Sequence, residues 1–413
     1  MGQRAGAATA DPRVVRRNED GVRPVKILSV LGTRPEAIKM APVVLELSQR
    51  PDIVSKVCVT AQHREMLDEV LSLFGIVPDH DLDVMRPGQS PTGVAAEIMR
   101  RLEPVLADER PDWVLVQGDT TTAAVGAIAA FYGGARVAHV EAGLRSHGPR
   151  DPFPEEINRR IVGVTADFHF APTARARTNL LNEGVSPRSV LVTGNPVVDA
   201  LQRARTLPSR IARPFADLTP DRRIVVFTAH RRESFGAPLE RVCAAVVTLA
   251  ERFPDVRFVY PVHPNPSVRT VVEEALGGNS SVTMLEPLGY RDMVALLERC
   301  HLVLTDSGGL QEEAPSLGKP VLVLRDVTER WEGIEAGTAR LVGTDTLRIV
   351  EETSAVLESP GEYALMSEAA NPYGDGRASE RIADALAGRD VSDWKPSDEP
   401  SARRGNSSQS VRV

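Results

Sequence analysis

At 413 residues the chain exceeds what one hydrophobic core organises, so two domains of ordinary size are expected. Its 42% hydrophobic and 25% charged residues are those of a globular protein, while a net charge of -7 and only 4% aromatics exclude a nucleic acid as main partner, which would demand basic stripes and stacking platforms. Cys58, Cys243 and Cys300 stand far apart with no CxxC or His pair, which excludes a disulfide framework and structural zinc and fits a reducing, cytoplasmic setting.

Residues 1–23 lack the apolar centre of a signal peptide and read as a disordered tail, and no apolar run reaches the ~20 residues of a membrane span. From Lys26 onward short β-branched runs alternate with helix-like stretches: "KILSVL" (26–31), "KVCVTA" (56–61), "WVLVQG" (113–118), "RVAHVE" (136–141), "HFAP" (169–172) and "VLVTG" (190–194). The pattern pauses over a linker near 202–222 and restarts with "RIVVFTAH" (223–230), "VRFVYPVH" (256–263), "SVTMLEP" (281–287), "HLVLTDSGG" (301–309) and "PVLVLR" (320–325). Strand–helix alternation means α/β with parallel, doubly wound sheets, so the chain is expected to form two Rossmann-like domains, 24–200 and 201–375, and a disordered tail, 390–413. Ligands of such sheets sit at the carboxyl ends of strands, so two facing domains place these loops on opposite walls of one cleft.

The loops carry the chemistry. "GTRPEAIKMAPV" (32–43) puts Arg34 and Lys39 beside a helix N-terminus, where cations supplement the free N–H groups in holding a diphosphate. "QGDTT" and "HVEAGLRS" place Asp119 and Glu141 at successive strand ends, near Glu155 and Arg159 of "PFPEEINRR". Several acids around one pocket suit proton transfer, because crowding and burial raise a carboxylic pKa. Helical spacing puts Glu155 and Arg159 on one face, toward a substrate, and leaves Glu156 and Arg160 to support the helix. "TAHRRESFG" sets His230 at a strand end, and "LTDSGGLQEE" offers Ser307, Gly308 and Gly309 as a close-approach turn into a helix, a phosphate cradle. "GKP" is not a P-loop and no GxGxxG occurs, which weakens ATP and dinucleotide readings; "DHDLD" (79–83) reads as a solvated loop rather than a metal site.

Taken in order, "GTRPEAIKMAPV", "TAQHREMLD", "VQGDTTT", "HVEAGLRS", "PEEINRR", "TGNPVVDAL", "TAHRRESFG", "LTDSGGLQEEAPSLGKPVLVLRD", "TERWEGIEAGTARLVGTD" and "NPYGDGRAS" resemble the non-hydrolysing UDP-N-acetylglucosamine 2-epimerases from about Lys26 to Arg381. The resemblance implies a GT-B fold, usually homodimeric, with a last helix, about 376–389, crossing back to the N-terminal domain. It implies interconversion of UDP-GlcNAc and UDP-ManNAc for cell-surface polysaccharide, through elimination of UDP to 2-acetamidoglucal and re-addition, with neither nicotinamide nor metal. By motif, Asp119, Glu141 and Glu155 match the catalytic carboxylates, with the proton-removing one left open, and Arg159 and His230 are further functional positions. Arg34, Lys39, Ser307, Gly308, Gly309, Glu313 and Arg330 match nucleotide-sugar contacts, and Leu288 and Met293 a uracil-contacting loop. Gln62, His63, Glu65 and His263 match the surroundings of a second, activating UDP-GlcNAc in bacterial members. Trp331 departs from the family, where Pro is frequent.

Two rival readings share the UDP site: a GT-B glycosyltransferase, which needs an acceptor, and a hydrolysing 2-epimerase, which releases free ManNAc. A third, a non-catalytic nucleotide-sugar sensor, is disfavoured by the presence of all three carboxylates.

Overall fold

The computed structural model describes residues 23–61, 64–86, 88–150, 152–208, 222–229, 231, 234–263 and 265–396. The first part of the chain supplies strands β1 (Val25–Leu31), β2 (Ile53–Val59), β3 (His80–Asp81), β4 (Trp113–Gln117), β5 (Arg136–Val140), β6 (Phe168–Ala171) and β7 (Val190–Val192). The second supplies β8 (Arg223–Thr228), β9 (Val256–Pro261), β10 (Val282–Leu285), β11 (Leu302–Thr305), β12 (Val321–Val323) and β13 (Ala339–Leu341). They form two parallel sheets in the orders β3-β2-β1-β4-β5-β6-β7 and β10-β9-β8-β11-β12-β13.

The strands are apolar on both faces because helices cover both faces. In β1, Ile27 and Leu31 enter the core shared with helix Arg34–Ser48, while Leu28 and Val30 face the core shared with helices Pro91–Glu109 and Thr121–Tyr132. In β8, Val225 and Phe227 alternate with Ile224 and Val226 in the same way. Each such fully buried side chain contributes on the order of 1.5–3 kcal/mol. The strand order reverses between β1 and β4 and again between β8 and β11, and a parallel sheet opens a crevice at such a point. The segments after these four strands hold Arg34, Asp119, Ala229 and Asp306–Gly309, so topology gathers part of the predicted site.

Helix Ala378–Leu386 lies on the first domain, with Ile382, Ala383 and Leu386 in the core that contains Met40 and Leu47. Its preceding residue, Arg377, provides no side-chain cap. Asp199, on helix Pro196–Thr206, does so from outside, accepting from the N–H groups of Ser379 at 2.8 Å and Ala378 at 3.2 Å. An Asp199→Ala variant is therefore expected to lose about 1–2 kcal/mol, the scale of a lost N-cap, in urea unfolding. An unchanged midpoint would mean the crossing helix is held by its apolar face alone.

Four sequence expectations are corrected. Residues 390–396 are ordered: Asp393 accepts from the Val192 N–H at 2.8 Å and the Trp394 N–H donates to the Val192 carbonyl at 2.8 Å, which covers the exposed edge of β7. Arg23 likewise belongs to the fold, paired with Asp112 at 2.5 Å. "DHDLD" contains an edge strand, β3, and Arg64 bridges Asp81 and Asp83, each at 2.9 Å; among the described residues no cluster could hold a metal ion. Helix Pro196–Thr206 carries the first core past residue 200, through Leu201 and Ala204.

Candidate active site

The first wall begins where β1 ends. Thr33 caps helix Arg34–Ser48, with Pro35 in its first turn, which leaves Arg34 at the mouth and Lys39 just over one turn inward. Arg34 donates to the Leu288 carbonyl of the other domain at 3.1 Å. Lys39, with only 11% of its side chain exposed, pairs with Glu141. Glu36, unnoticed in the sequence, is fully buried and joins two loops: it accepts from the Thr120 hydroxyl at 2.8 Å and from the Gly32 N–H at 3.2 Å. Burial pushes its carboxyl up to about 7, against the hydrogen bonds that lower it.

After β4 it is Thr120, not Asp119, that caps helix Thr121–Tyr132, accepting from the Ala123 N–H at 3.0 Å. Asp119 is thereby available to Arg159, 2.6 Å away, while its own carbonyl accepts from Asn158 at 2.9 Å. His139, interior to β5, donates through Nε2 to the Gly118 carbonyl at 2.8 Å and so steadies the same loop. Burial drives its pKa down to about 3, which keeps the ring neutral.

Glu141 follows β5 in the left-handed region, φ 62°, a costly conformation for a residue with a Cβ and one that recurs at functional sites. Its carboxylate accepts from Gln117 at 2.8 Å, pairs with Lys39 and lies 3.7 Å from Arg330. Burial acts to raise its pKa, but Lys39 and Arg330 outweigh burial and hold the group below the usual carboxylate range.

Helix Glu155–Thr165 keeps the Glu156–Arg160 pair that spacing assigns to helix support and draws Arg159 to it as well. Glu156 is fully buried, accepting from the Ser146 N–H at 3.0 Å and pairing with Arg159 and Arg160, each at 3.2 Å. Arg159 therefore pairs at i,i+3 with Glu156 and not at i,i+4 with Glu155. Glu155 remains half-buried at the helix start with Oε2 buried and without a hydrogen-bond partner. Arg159 itself is buried between Asp119 and Glu156; burial opposes its charge, and Asp119 leads the carboxylates that restore it.

The opposite wall is the turn after β11. Helix Gly308–Ser316 starts at Ser307 without a side-chain cap, which leaves its first turn without the partner that a capping side chain would supply and suits an anion. A Cβ on Gly308 would sit 2.7 Å from the Arg330 guanidinium and would have to displace it from Glu312 and Glu329, whereas a Cβ on Gly309 would meet the Ser307 hydroxyl at an ordinary 4.0 Å. Glu313 is buried beside the Tyr290 hydroxyl, and burial, helped by Glu312, pushes it up to about 7. Arg330 is buried, bonded to Glu312 at 2.6 Å and to Glu329. Leu288 and Met293 pack against the second domain's core, and the Leu288 carbonyl reaches Arg34.

The predicted residues thus divide. Contacts between the domains join Arg34 to the Leu288 carbonyl and Lys39 through Glu141 to Arg330 and Gly308, and Asp119 pairs with Arg159 on the first domain. Glu65 and His263 are exposed on different domains. His230, Gln62 and His63 lie outside the described residues. Trp331 leaves Arg330 in place and lines, with Ser146, His147 and Val327, a small cavity of about 100 Å³ between the domains. Gln117, His139, Glu36 and Glu312 were missed; for Gln117 the available signal was a polar residue at the end of an otherwise apolar strand, and for His139 a polar ring inside one.

Comparison with known proteins identifies the relatives of this chain. The family model "UDP-N-acetylglucosamine 2-epimerase" matches residues 45–387. UDP-N-acetylglucosamine 2-epimerase of Escherichia coli (strain K12) is 51% identical over 375 residues, covering 89% of this chain and 100% of the relative. A crystal structure of UDP-GlcNAc 2-epimerase from Neisseria meningitidis bound to UDP-GlcNAc superposes with a TM-score of 0.84 at 47% identity, covering 88% of this chain and 99% of that one. The S. aureus MnaA–UDP co-structure gives a TM-score of 0.83 at 46% identity, covering 90% of this chain and 100% of that one.

Proposed function

The chain belongs to the UDP-N-acetylglucosamine 2-epimerase family, of the non-hydrolysing type, and from that premise we propose that its cleft inverts C2 of UDP-GlcNAc by letting UDP leave and return. The helix Gly308–Ser316 and Arg34 hold the diphosphate, Glu313 accepts from the ribose hydroxyls, Leu288 and Met293 flank the uracil, and the first domain's carboxylates work on the sugar. His230 joins them as a further functional group.

The C2–H bond is not acidic, because no carbonyl adjoins it. Cleavage of C1–O gives an oxocarbenium-like centre, the electron pair leaving with the β-phosphate oxygen. A carboxylate then takes the C2 proton and C1=C2 forms, giving 2-acetamidoglucal beside UDP. Adding the UDP oxygen back to C1, with a proton delivered to the other face of C2, yields UDP-ManNAc. No net oxidation occurs, so the sequence balances without a redox partner. The walls supply what this route needs: fixed cations where the leaving diphosphate develops charge, and acid–base groups on the sugar.

The observation that carries the reading is the placement of Glu141. It stands at a strained strand end between Lys39 and Arg330, beside Asp119–Arg159, across from a free helix N-terminus. Incubating purified protein with UDP-GlcNAc alone tests it: NMR should show UDP-ManNAc accumulating to equilibrium without acceptor. Appearance of free ManNAc with UDP would favour a hydrolysing enzyme, and no change without an acceptor a glycosyltransferase. An Arg34→Ala variant should bind UDP about tenfold more weakly in titration calorimetry, the ~1.4 kcal/mol of one charge-assisted contact. Unchanged affinity would remove Arg34 from the diphosphate site.

The working form is read as a cytoplasmic homodimer. Exposed Phe131 and Tyr132 at the end of helix Thr121–Tyr132, and Val164 on the adjoining helix Glu155–Thr165, supply apolar surface for a second copy. Activation by a second UDP-GlcNAc near Glu65 and His263, with Gln62 and His63, is part of the same reading, and so is the supply of ManNAc units to cell-surface polysaccharide.

A further inference from the structure

Directly beside Glu313, the carboxylate matched to the ribose, lies a second one that the proposed chemistry does not use. Glu312 is 1% exposed, and both of its oxygens are engaged. Oε1 accepts from Arg330 Nε at 2.6 Å, and Oε2 accepts from the side-chain amide of Asn195. Asn195 belongs to the first domain, where it caps helix Pro196–Thr206. Arg330 continues through a terminal nitrogen to Glu141, 3.7 Å away, again on the first domain. A single buried chain, Asn195–Glu312–Arg330–Glu141, therefore leaves the first domain, crosses the second and returns at the sugar-side carboxylate. Tyr373 braces it, donating to the Arg330 carbonyl at 3.1 Å and, through its own carbonyl, accepting from the Asn195 N–H at 2.6 Å.

We propose that Glu312 is a positioning residue for the epimerisation, fixing Arg330 by its Nε edge so that the far edge of the fork reaches Glu141, and sharing the guanidinium charge with it. The inference rests on the function proposed above. A guanidinium donates in one plane, so the anion on the Nε edge determines where the remaining N–H groups point. A buried Arg held by one anion alone would settle wholly on that anion. Here three carboxylates compete for it: Glu312, Glu329 and Glu141. Glu141 also faces Lys39 and Arg159, and Glu312 also faces Lys39, Glu313 and Tyr373. Burial raises the Glu312 carboxyl, Arg330 opposes it, and the nearby Glu141 charge adds to the rise, while both acids lie against the same guanidinium.

The test is Glu312→Gln, which keeps the shape and removes the charge. Glu141 then loses a like charge and gains a larger share of Arg330, so its pKa falls. The expected result is a roughly 10- to 100-fold lower kcat with UDP affinity unchanged within about threefold, the range of a misplaced acid–base group. The limb of the kcat–pH profile that Glu141→Gln abolishes should move to lower pH. Glu312→Asp, which keeps the charge but draws it back, should restore part of both. A normal kcat, or a loss of kcat and UDP binding together with that limb unmoved, would overturn the proposal and leave Glu312 a structural residue. Should Glu312→Gln fail to fold, Glu312→Asp alone decides: a lower kcat with a small downward limb shift supports it, and no change in either overturns it. Turnover by the wild-type protein is scored separately, so failure of the parent reading is distinguishable from failure of this one.

Discussion

Replacing Glu141 with Gln is expected to lower turnover at least ~100-fold while UDP binding persists, the scale of a lost acid–base group. The two effects separate because Glu141 sits on the first domain, whereas the anion-binding helix Gly308–Ser316 belongs to the second. The amide keeps the size of the side chain and can still accept from Gln117, now at 2.8 Å from the carboxylate. What it cannot do is carry the negative charge that Lys39 and Arg330 face, nor exchange a proton with the sugar. Steady-state kinetics beside UDP titration measures both quantities. Turnover within a few-fold of wild type would remove Glu141 from the proton-transfer machinery.

Arg159→Ala should do damage of two kinds. The guanidinium touches both Asp119, at 2.6 Å, and Glu156, at 3.2 Å. Truncation leaves the fully buried Glu156 with only the more exposed Arg160 and Ser146 as partners, and an under-compensated buried charge costs about 3 kcal/mol. It also releases Asp119 from its position on the sugar side, and a displacement of that kind costs ~100-fold in rate. Unfolding and turnover should therefore both suffer, and Arg159→Lys, which keeps charge but not the fork, should fall between. A stable protein with low activity would mean that Arg160 suffices for Glu156, and an active one would detach Asp119 from catalysis.

How much of this was legible in the sequence follows from the physics of each element. The buried strands were readable because sheets covered on both faces produce continuous β-branched runs, and their carboxyl ends then located Asp119, Glu141 and Ser307–Gly309. The short edge strands β3, two residues, and β13, three residues, carry too little pattern to stand out from loops. The helix at Glu155 shows where periodicity stops: four charged residues in six positions define two faces but not which one is inside. Burial of Glu156 is decided by the Ser146 N–H, ten residues upstream, which no spacing rule contains. Glu312 was overlooked for a similar reason, since its partner Asn195 is 117 residues away and becomes visible only when the domains are assembled. The order of residues 390–396 comes from the open edge of β7, again a tertiary demand rather than a local propensity.

The central claim is that the C2 hydrogen becomes labile because UDP departs and returns within the cleft. Running the reaction to partial conversion in deuterated water, with UDP-GlcNAc as the sole substrate, and reading the sugar C2 by proton NMR tests it most directly. Deuterium at C2 of the UDP-ManNAc formed is the predicted result; product whose C2 still carries the original protium would contradict it.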